Sequence, residues 1–191
     1  MKNGAIISKD LINQLASGDQ KAFRSFFDKA YPLIYRFTHY ILPHQEDCRE
    51  VVSEVFYKVW EQREKLPLIN DLKAWLYIIT RNEAYHYWKQ KEKNHTFSIN
   101  DLPIELAVDP AANDAGIIEE EMVGVYNQAI SELPDRCKLI YLMVREEHLS
   151  YKEIAEILSI STGTVEQQMH IAIQKIIAIV RKSYPALGVN K

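Results

Sequence analysis

Between Lys73 and Lys93, the aromatic side chains Trp75, Tyr77, Tyr85, Tyr87 and Trp88 are interleaved with the cations Lys73, Arg81, Lys89, Lys91 and Lys93. Aromatic faces hold unstacked bases and cations hold phosphates, so the mixture suits a single nucleic-acid strand. Lys73, Tyr77 and Arg81, then Tyr85 or Trp88, recur at helical spacing and share one side of a helix. The competing reading makes Trp75 and Trp88 core residues and leaves the lysines to solvate a helix end.

A second constellation runs from Ser150 to Lys175. Ser150 and Glu153 form a capping box for a helix over Tyr151 to Leu158, with Ile154, Ala155 and Leu158 turned inward. Ala155 is small where a second helix must pass close by. Ser159-Ile160-Ser161 makes the turn, with Ile160 filling the angle. Ser161 or Thr162 caps a second helix that buries Val165, Met169, Ala172, Ile173 and Ile176. Its outward residues are Thr164, Gln167, Gln168, His170 and Lys175. A two-helix unit of this size fits the major groove. An ordinary helical hairpin is the alternative. Gln167 and Gln168 suit adenine edges, whereas Glu166 repels phosphate, so duplex binding by this unit alone should be weak.

Catalytic and metal signals are sparse. No nucleophile elbow, glycine-rich phosphate loop or HExxH occurs. His44 and Cys48 are four residues apart with His39 nearby, but a metal site needs three or four well-placed ligands. Partly exposed helix histidines are the plainer reading, for His148 and His170 as well. Cys137 reads as a small buried hydrophobe, although Arg136 and Lys138 flank it. The expectation is no enzyme, no cofactor and no metal.

The elements that would carry these residues read as helices throughout. Asp19 caps an apolar stripe of Ala22, Phe23, Phe26, Phe27 and Ala30. Pro32 is expected to start a second helix with Leu33, Ile34, Phe37 and Ile41, ended by Pro43. The next runs from Glu46 to Lys65 on Val51, Val52, Val55, Phe56, Val59 and Trp60. After a loop at Leu66 to Asn70, Asn70 or Asp71 caps a helix from Leu72 to about Glu92, with Leu72, Trp75, Leu76 and Ile79 inward. Helical spacing resumes from Ile117 to before Pro134 and again from Asp135 to about Glu147, with Leu139, Ile140, Leu142 and Met143 inward. The fold class is therefore all-α, as two small helical domains: residues 1–97 and 117–184, joined by a flexible linker at 98–116.

Composition agrees with a globular chain: 47% of 191 residues are hydrophobic and 26% charged, which excludes a disordered or low-complexity class. The absence of an 18-residue apolar run excludes a spanning helix, and Met1 to Leu15 lacks an export signal, so a soluble cytoplasmic protein is expected. Two cysteines cannot make a disulfide scaffold. The net charge of −3 hides a pattern. Residues 1–97 carry 15 bases and 12 acids, residues 98–134 carry 8 acids and no base, and residues 135–191 carry 8 bases and 6 acids. The acidic middle reads either as a solvated linker or as a nucleic-acid mimic that covers a basic neighbour.

Taken together, the chain resembles the extracytoplasmic-function sigma factors, small two-domain specificity subunits of bacterial RNA polymerase. Asp47-Cys48-Arg49-Glu50-Val51-Val52-Ser53-Glu54-Val55-Phe56 is similar to the family's polymerase-binding helix. Leu72-Lys73-Ala74-Trp75-Leu76, with Ile79 and Arg81-Asn82, is similar to its DNA-melting helix, and Leu133-Pro134 through Arg181 to its region 4. The wording is nearest the iron-citrate-regulator (FecI-like) branch. The resemblance implies core RNA polymerase as partner, through the largest-subunit clamp and the flap, with Asp47, Glu50, Ser53, Glu54 and Tyr57 in contact. It implies minus-ten DNA held by Leu68, Asn70, Lys73, Trp75, Tyr77, Arg81, Asn82, Tyr85, Trp88 and Lys89. It implies minus-35 duplex read by Thr162, Thr164, Glu166, Gln167, Gln168, His170 and Lys175. An anti-sigma protein is a further implied partner, and no membrane insertion is expected. The family often has Gln where this chain has Ser53, an acid at Arg49, and Asp at His86. Two other readings stand beside this one: a helix-turn-helix regulator with an N-terminal sensing or dimerisation bundle, and a small helical enzyme or structural bundle.

Overall fold

The computed structural model describes residues 7–91 and 117–184, and every regular element among them is helical. They fall into two compact units. The first holds α1 (Lys9–Ala16), α2 (Gln20–Ile41), α3 (Gln45–Glu61), a 3-10 turn (Arg63–Leu68) and α4 (Leu72–Lys91). The second holds α5 (Ile117–Ser131), α6 (Asp135–Arg145), α7 (Tyr151–Leu158) and α8 (Thr162–Ser183). The linker expected at 98–116 lies outside the described residues, as do residues 1–6 and 92–97 of the domain expected at 1–97.

In the first unit, α2, α3 and α4 each pack against the other two. Their shared core is Phe26, Ile34, Phe37, Ile41, Val51, Val55, Val59, Leu76 and Tyr77. Buried hydroxyls are satisfied locally: Thr38 donates to the Ile34 carbonyl (2.8 Å) and Thr80 to the Leu76 carbonyl (2.7 Å). A dry core tolerates a hydroxyl only when it is paired in this way.

The structure corrects the expected elements in three places. Pro32 does not begin a helix but lies inside α2, exposed to solvent. Proline costs a helix one backbone hydrogen bond and a ring clash. Here Ala22, Phe26, Ala30, Ile34, Phe37 and Ile41 form one buried stripe through it, and burying that stripe outweighs the loss. The helix expected to reach Lys65 stops at Glu61, and Arg63–Leu68 tightens into a 3-10 turn that buries Leu66. Helix α1 was not expected at all. Ser8 caps it by accepting from the Leu11 amide (3.2 Å), and only Ile12 and Leu15 are buried, too short a stripe to stand out. Gly18, at φ 86°, turns the chain from α1 into α2 in a conformation that few other residues adopt.

The second unit follows the expected pattern closely. Leu139, Ile140, Leu142 and Met143 of α6 are buried. So are Ile154, Ala155 and Leu158 of α7 and Val165, Met169, Ala172 and Ile176 of α8. Ile173 is the exception, 42% exposed. The capping box at Ser150 is complete: the Ser150 hydroxyl accepts from the Glu153 amide (3.3 Å), and the Glu153 carboxylate accepts from the Ser150 amide (2.7 Å). Ser159 closes α7 in the left-handed conformation, and Ser161 caps α8 through the Thr164 amide (3.0 Å). Ser150→Ala should remove about 1 kcal/mol of stability from this unit, read as a lower midpoint in urea unfolding. An unchanged midpoint would mean that the box is not holding α7.

Candidate functional site

Helix α4 carries the aromatic and basic side chains, and it is more deeply seated than its composition suggests. From Leu72 to Tyr85 none of its residues is fully exposed. Asp71 caps it by accepting from the Ala74 amide (2.9 Å). The buried side is Ala74, Leu76, Tyr77, Thr80 and Ala84. Three of these are small or short, which lets α4 lie close against α2 and α3. Leu72, Trp75 and Ile79, expected in the core, are half-buried instead.

Tyr77 is the main correction. Its spacing with Lys73 and Arg81 placed it on the nucleic-acid side, yet it is 1% exposed. Its ring meets Phe37 edge-on at 4.7 Å, and Lys73 lies over its ring at 5.9 Å. The line through Lys73, Tyr77 and Arg81 faces a neighbouring helix, and the large ring gains most from burial there. Arg81 and Asn82 are half-buried and joined: the Arg81 guanidinium donates to the Asn82 side-chain oxygen at 2.7 and 3.1 Å. Burial pulls the Arg81 pKa down from its ordinary value. Trp75, Tyr85 and Trp88 are half-buried, and Lys89 is exposed. Just before α4, Leu68 is the most exposed large apolar residue among those described, at 81%. It stands on a braced turn, with Leu66 buried beneath it, the Ile69 amide donating to the Leu66 carbonyl (3.1 Å) and Pro67 fixing the backbone between. Asn70 is also exposed.

On α3, Glu50, Ser53, Glu54 and Tyr57 are all exposed, as their spacing predicts. Asp47 is not. It is 8% exposed, and its carboxylate accepts from the Tyr87 hydroxyl (2.9 Å) and from the Lys91 ammonium (2.7 Å to each oxygen). Asp47 therefore ties the first turn of α3 to the last turns of α4 and does not lie on the face expected to meet polymerase. Burial alone would raise its carboxyl pKa. The hydrogen bonds from Lys91 and Tyr87 overcome that and hold it below the usual carboxylate value. Lys58 of α3 makes a second tie, to Glu83 of α4.

The thiols are occupied. Cys48 donates to the Leu42 carbonyl (3.3 Å) beside His39 (3.6 Å), and burial with the nearby Asp47 charge pushes its pKa up to about 11. His44 is exposed at the start of α3. Among the described residues no three His, Cys, Asp or Glu side chains gather as a metal set. Cys137 is buried and donates to the Gln168 side-chain oxygen (2.9 Å). Its pKa is raised by burial, against the pull of Lys175 and Arg136. This contact turns the Gln168 oxygen inward toward α6, not outward as its helix position predicts. Thr162, Glu166, Gln167, His170 and Lys175 are exposed, and Thr164 is half-buried.

The Asp47 tie makes a pH prediction. Its folded pKa is depressed, so its contribution is present at neutral pH and is lost as pH falls below about 4. Asp47→Asn should lower the Tm at pH 7, and the difference should shrink progressively as pH falls below about 4 and the carboxyl takes up its proton. A Tm difference independent of pH would show that the ion pair contributes nothing.

Two family models match this chain: Sigma-70 region 2 over residues 26–94 and Sigma-70, region 4 over residues 125–176. The ECF RNA polymerase sigma factor SigW of Bacillus subtilis is 24% identical over 169 residues, spanning 85% of this chain and 90% of that protein. The ECF RNA polymerase sigma-E factor of Escherichia coli is 24% identical over 173 residues, spanning 87% and 90%. Among solved structures, the sigma factor RpoE of Bartonella quintana, in complex with the anti-sigma factor NepR, superposes with a TM-score of 0.62 at 19% identity, spanning 84% of this chain and 98% of that one. CnrH, in complex with the cytosolic domain of CnrY, gives 0.59 at 19% identity, spanning 91% and 97%. These two likenesses are of fold. The region 2 match accounts for the N-terminal bundle and displaces the sensing or dimerisation reading of it. No described helix is long and apolar enough to cross a membrane. The chain belongs to the extracytoplasmic-function group of the sigma-70 family, and it is a non-enzymatic sigma factor that directs RNA polymerase in promoter-specific transcription initiation.

Proposed function

We propose the following division of labour among its residues. Residues 1–97 form the polymerase-binding and minus-ten domain, residues 98–116 a linker, and residues 117–184 the minus-35 domain. Glu50, Ser53, Glu54 and Tyr57 meet the clamp of the largest polymerase subunit, where exposed acids suit a basic partner. Asp47 supports that helix from behind. Leu68, Asn70, Lys73, Trp75, Arg81, Asn82, Tyr85, Trp88 and Lys89 handle the minus-ten strand, and Tyr77 serves as their foundation. Thr162, Thr164, Gln167, His170 and Lys175 face the minus-35 duplex, with Gln168 set back toward α6 and Glu166 limiting phosphate attraction. The protein works in the cytoplasm. An anti-sigma protein holds it inactive, a role supported by the two fold neighbours, each solved with such a partner or a partner's cytosolic domain.

The observation that carries the strand-capture reading is Leu68. An apolar side chain 81% exposed on a braced turn contributes little to the core and is available for contact with an incoming strand. It stands just before a helix whose half-buried Trp75 and Trp88 keep ring surface outside the core. Extruding a base costs a few kcal/mol, and stacking returns roughly 1–3 kcal/mol per base.

Run-off transcription with core polymerase, with and without the protein, tests the function directly. Trp75→Ala and Leu68→Ser should each slow promoter opening by roughly tenfold while leaving closed-complex affinity nearly intact. Permanganate reactivity of minus-ten thymines separates the two steps. Equal losses in both would remove the melting role. Tyr77→Ala is the contrasting control: it should lower stability by about 3 kcal/mol or more, because it empties a core position.

A further inference from the structure

A buried thiol holds one of the polar side chains of α8. Cys137 lies in the first turn of α6, and its sulfur donates to the side-chain oxygen of Gln168, in the second turn of α8, at 2.9 Å. The bond bridges two helices that pack against each other. Burial keeps the thiol protonated, raising its pKa against the pull of Lys175 and Arg136. A protonated thiol is a donor and only a weak acceptor. The atom of the Gln168 amide that fits against it is therefore the oxygen. Turned the other way, the amide would set its own N–H donors against the S–H and leave a buried donor unmatched.

The two polar atoms of a carboxamide point apart. With the oxygen turned onto α6, the nitrogen is left on the side away from the thiol, and Gln168 is half-buried, not enclosed. The side chain thus turns its acceptor inward and keeps its two N–H donors for a ligand. This decides which base edge it can match. Adenine presents the N7 acceptor beside the N6 donor, and a glutamine matches that pair only by using both atoms of its amide. Guanine presents O6 and N7, two acceptors, and asks only for donors. The adenine match that the sequence suggests for Gln168 needs an oxygen that the fold has already engaged.

We propose that Cys137 is a positioning residue that fixes the polarity of Gln168, so that Gln168 meets the minus-35 duplex as a donor alone and selects guanine over adenine at one base pair. The proposal rests on the reading of α8 as the duplex-facing helix. Cys137 itself touches no base. It acts from the α6 side of the bond, and base choice at that position is set by a residue on a different helix from the one that reads the groove.

The full chain bound to core polymerase, offered promoter duplexes randomised through the minus-35 region, tests this when the bound duplexes are sequenced. The unsubstituted chain should favour guanine over adenine at one position, and Gln168→Ala should lose that preference. Cys137→Ala and Cys137→Val lack a donor and let the amide turn over, so each should lower the guanine-to-adenine ratio there by roughly three- to tenfold. Cys137→Ser keeps a donor and should hold the ratio near its original value. The ratio is read within one sample, so a partly unfolded variant still reports it. A ratio unmoved by Cys137→Val would overturn the proposal. So would a serine variant that behaves like the valine one, or adenine favoured by the unsubstituted chain at the position that Gln168 controls. Gln167→Ala separates this from the reading beneath it. If Gln167→Ala and Gln168→Ala both leave the whole base profile unchanged, α8 does not read the duplex and the proposal falls with that reading. If only Gln167→Ala changes the profile, α8 reads bases and the assignment of Gln168 alone is lost.

Discussion

Helix α3 has to be buried on two sides at once, and the first unit depends on that constraint. Its Val51, Val52, Val55, Phe56 and Val59 fill the space between α2 and α4. Its opposite side faces solvent and carries Arg49, Glu50, Ser53, Glu54, Tyr57 and Glu61. A helix wedged in this way cannot rotate without breaking two interfaces. Polar ties fix it further. Asp47 holds the far end of α4 through Tyr87 and Lys91, and Lys58 holds its middle through Glu83. The surface offered to a partner is thus a consequence of how the core closes.

The same closure explains the state of α4. A helix that binds a nucleic-acid strand by stacking needs aromatic surface outside the core, and a folded domain pulls aromatic surface inward. In α4 the conflict is divided by position. Tyr77 goes fully inside against Phe37, while Trp75, Tyr85 and Trp88 stop halfway. Half-burial restricts a ring's rotamers, so less side-chain entropy would remain to be lost to a stacked base under the proposed role. Arg81 follows the same logic, held against Asn82 and partly desolvated.

Much of this was legible in the sequence, and the misses have physical causes. The second unit was read almost element by element, because capping chemistry at Ser150, Glu153 and Ser161 is local and unambiguous. The first unit was harder. Pro32 is a strong local stop, yet a stripe running from Ala22 to Ile41 overrode it, and only tertiary burial makes that stripe worth keeping whole. On α4 apolar and polar residues are spread around the whole helix, so periodicity could not say which side faces inward. The choice between Tyr77 and Trp75 was made by the niche beside Phe37, which belongs to another helix. Asp47 misled for a similar reason: an acid among acids reads as surface until Tyr87 and Lys91 arrive from 40 residues or more away.

The two units make unequal demands on a partner. Helix α8, the proposed duplex reader, begins with an uncharged turn of Thr162 and Thr164, exposes Glu166, and turns the Gln168 oxygen back onto Cys137. Phosphate attraction supplies most of the sequence-independent affinity of DNA-binding proteins, and this face has little of it. If α8 reads the duplex as proposed, its affinity would come chiefly from effective concentration once the first unit has docked. That would place the burden of assembly on α3, where Glu50, Glu54 and the exposed Tyr57 share one face. On the proposed division of labour, a weak reader joined to a docking surface would sample promoters chiefly while attached to the polymerase, so selectivity would reside in the complex.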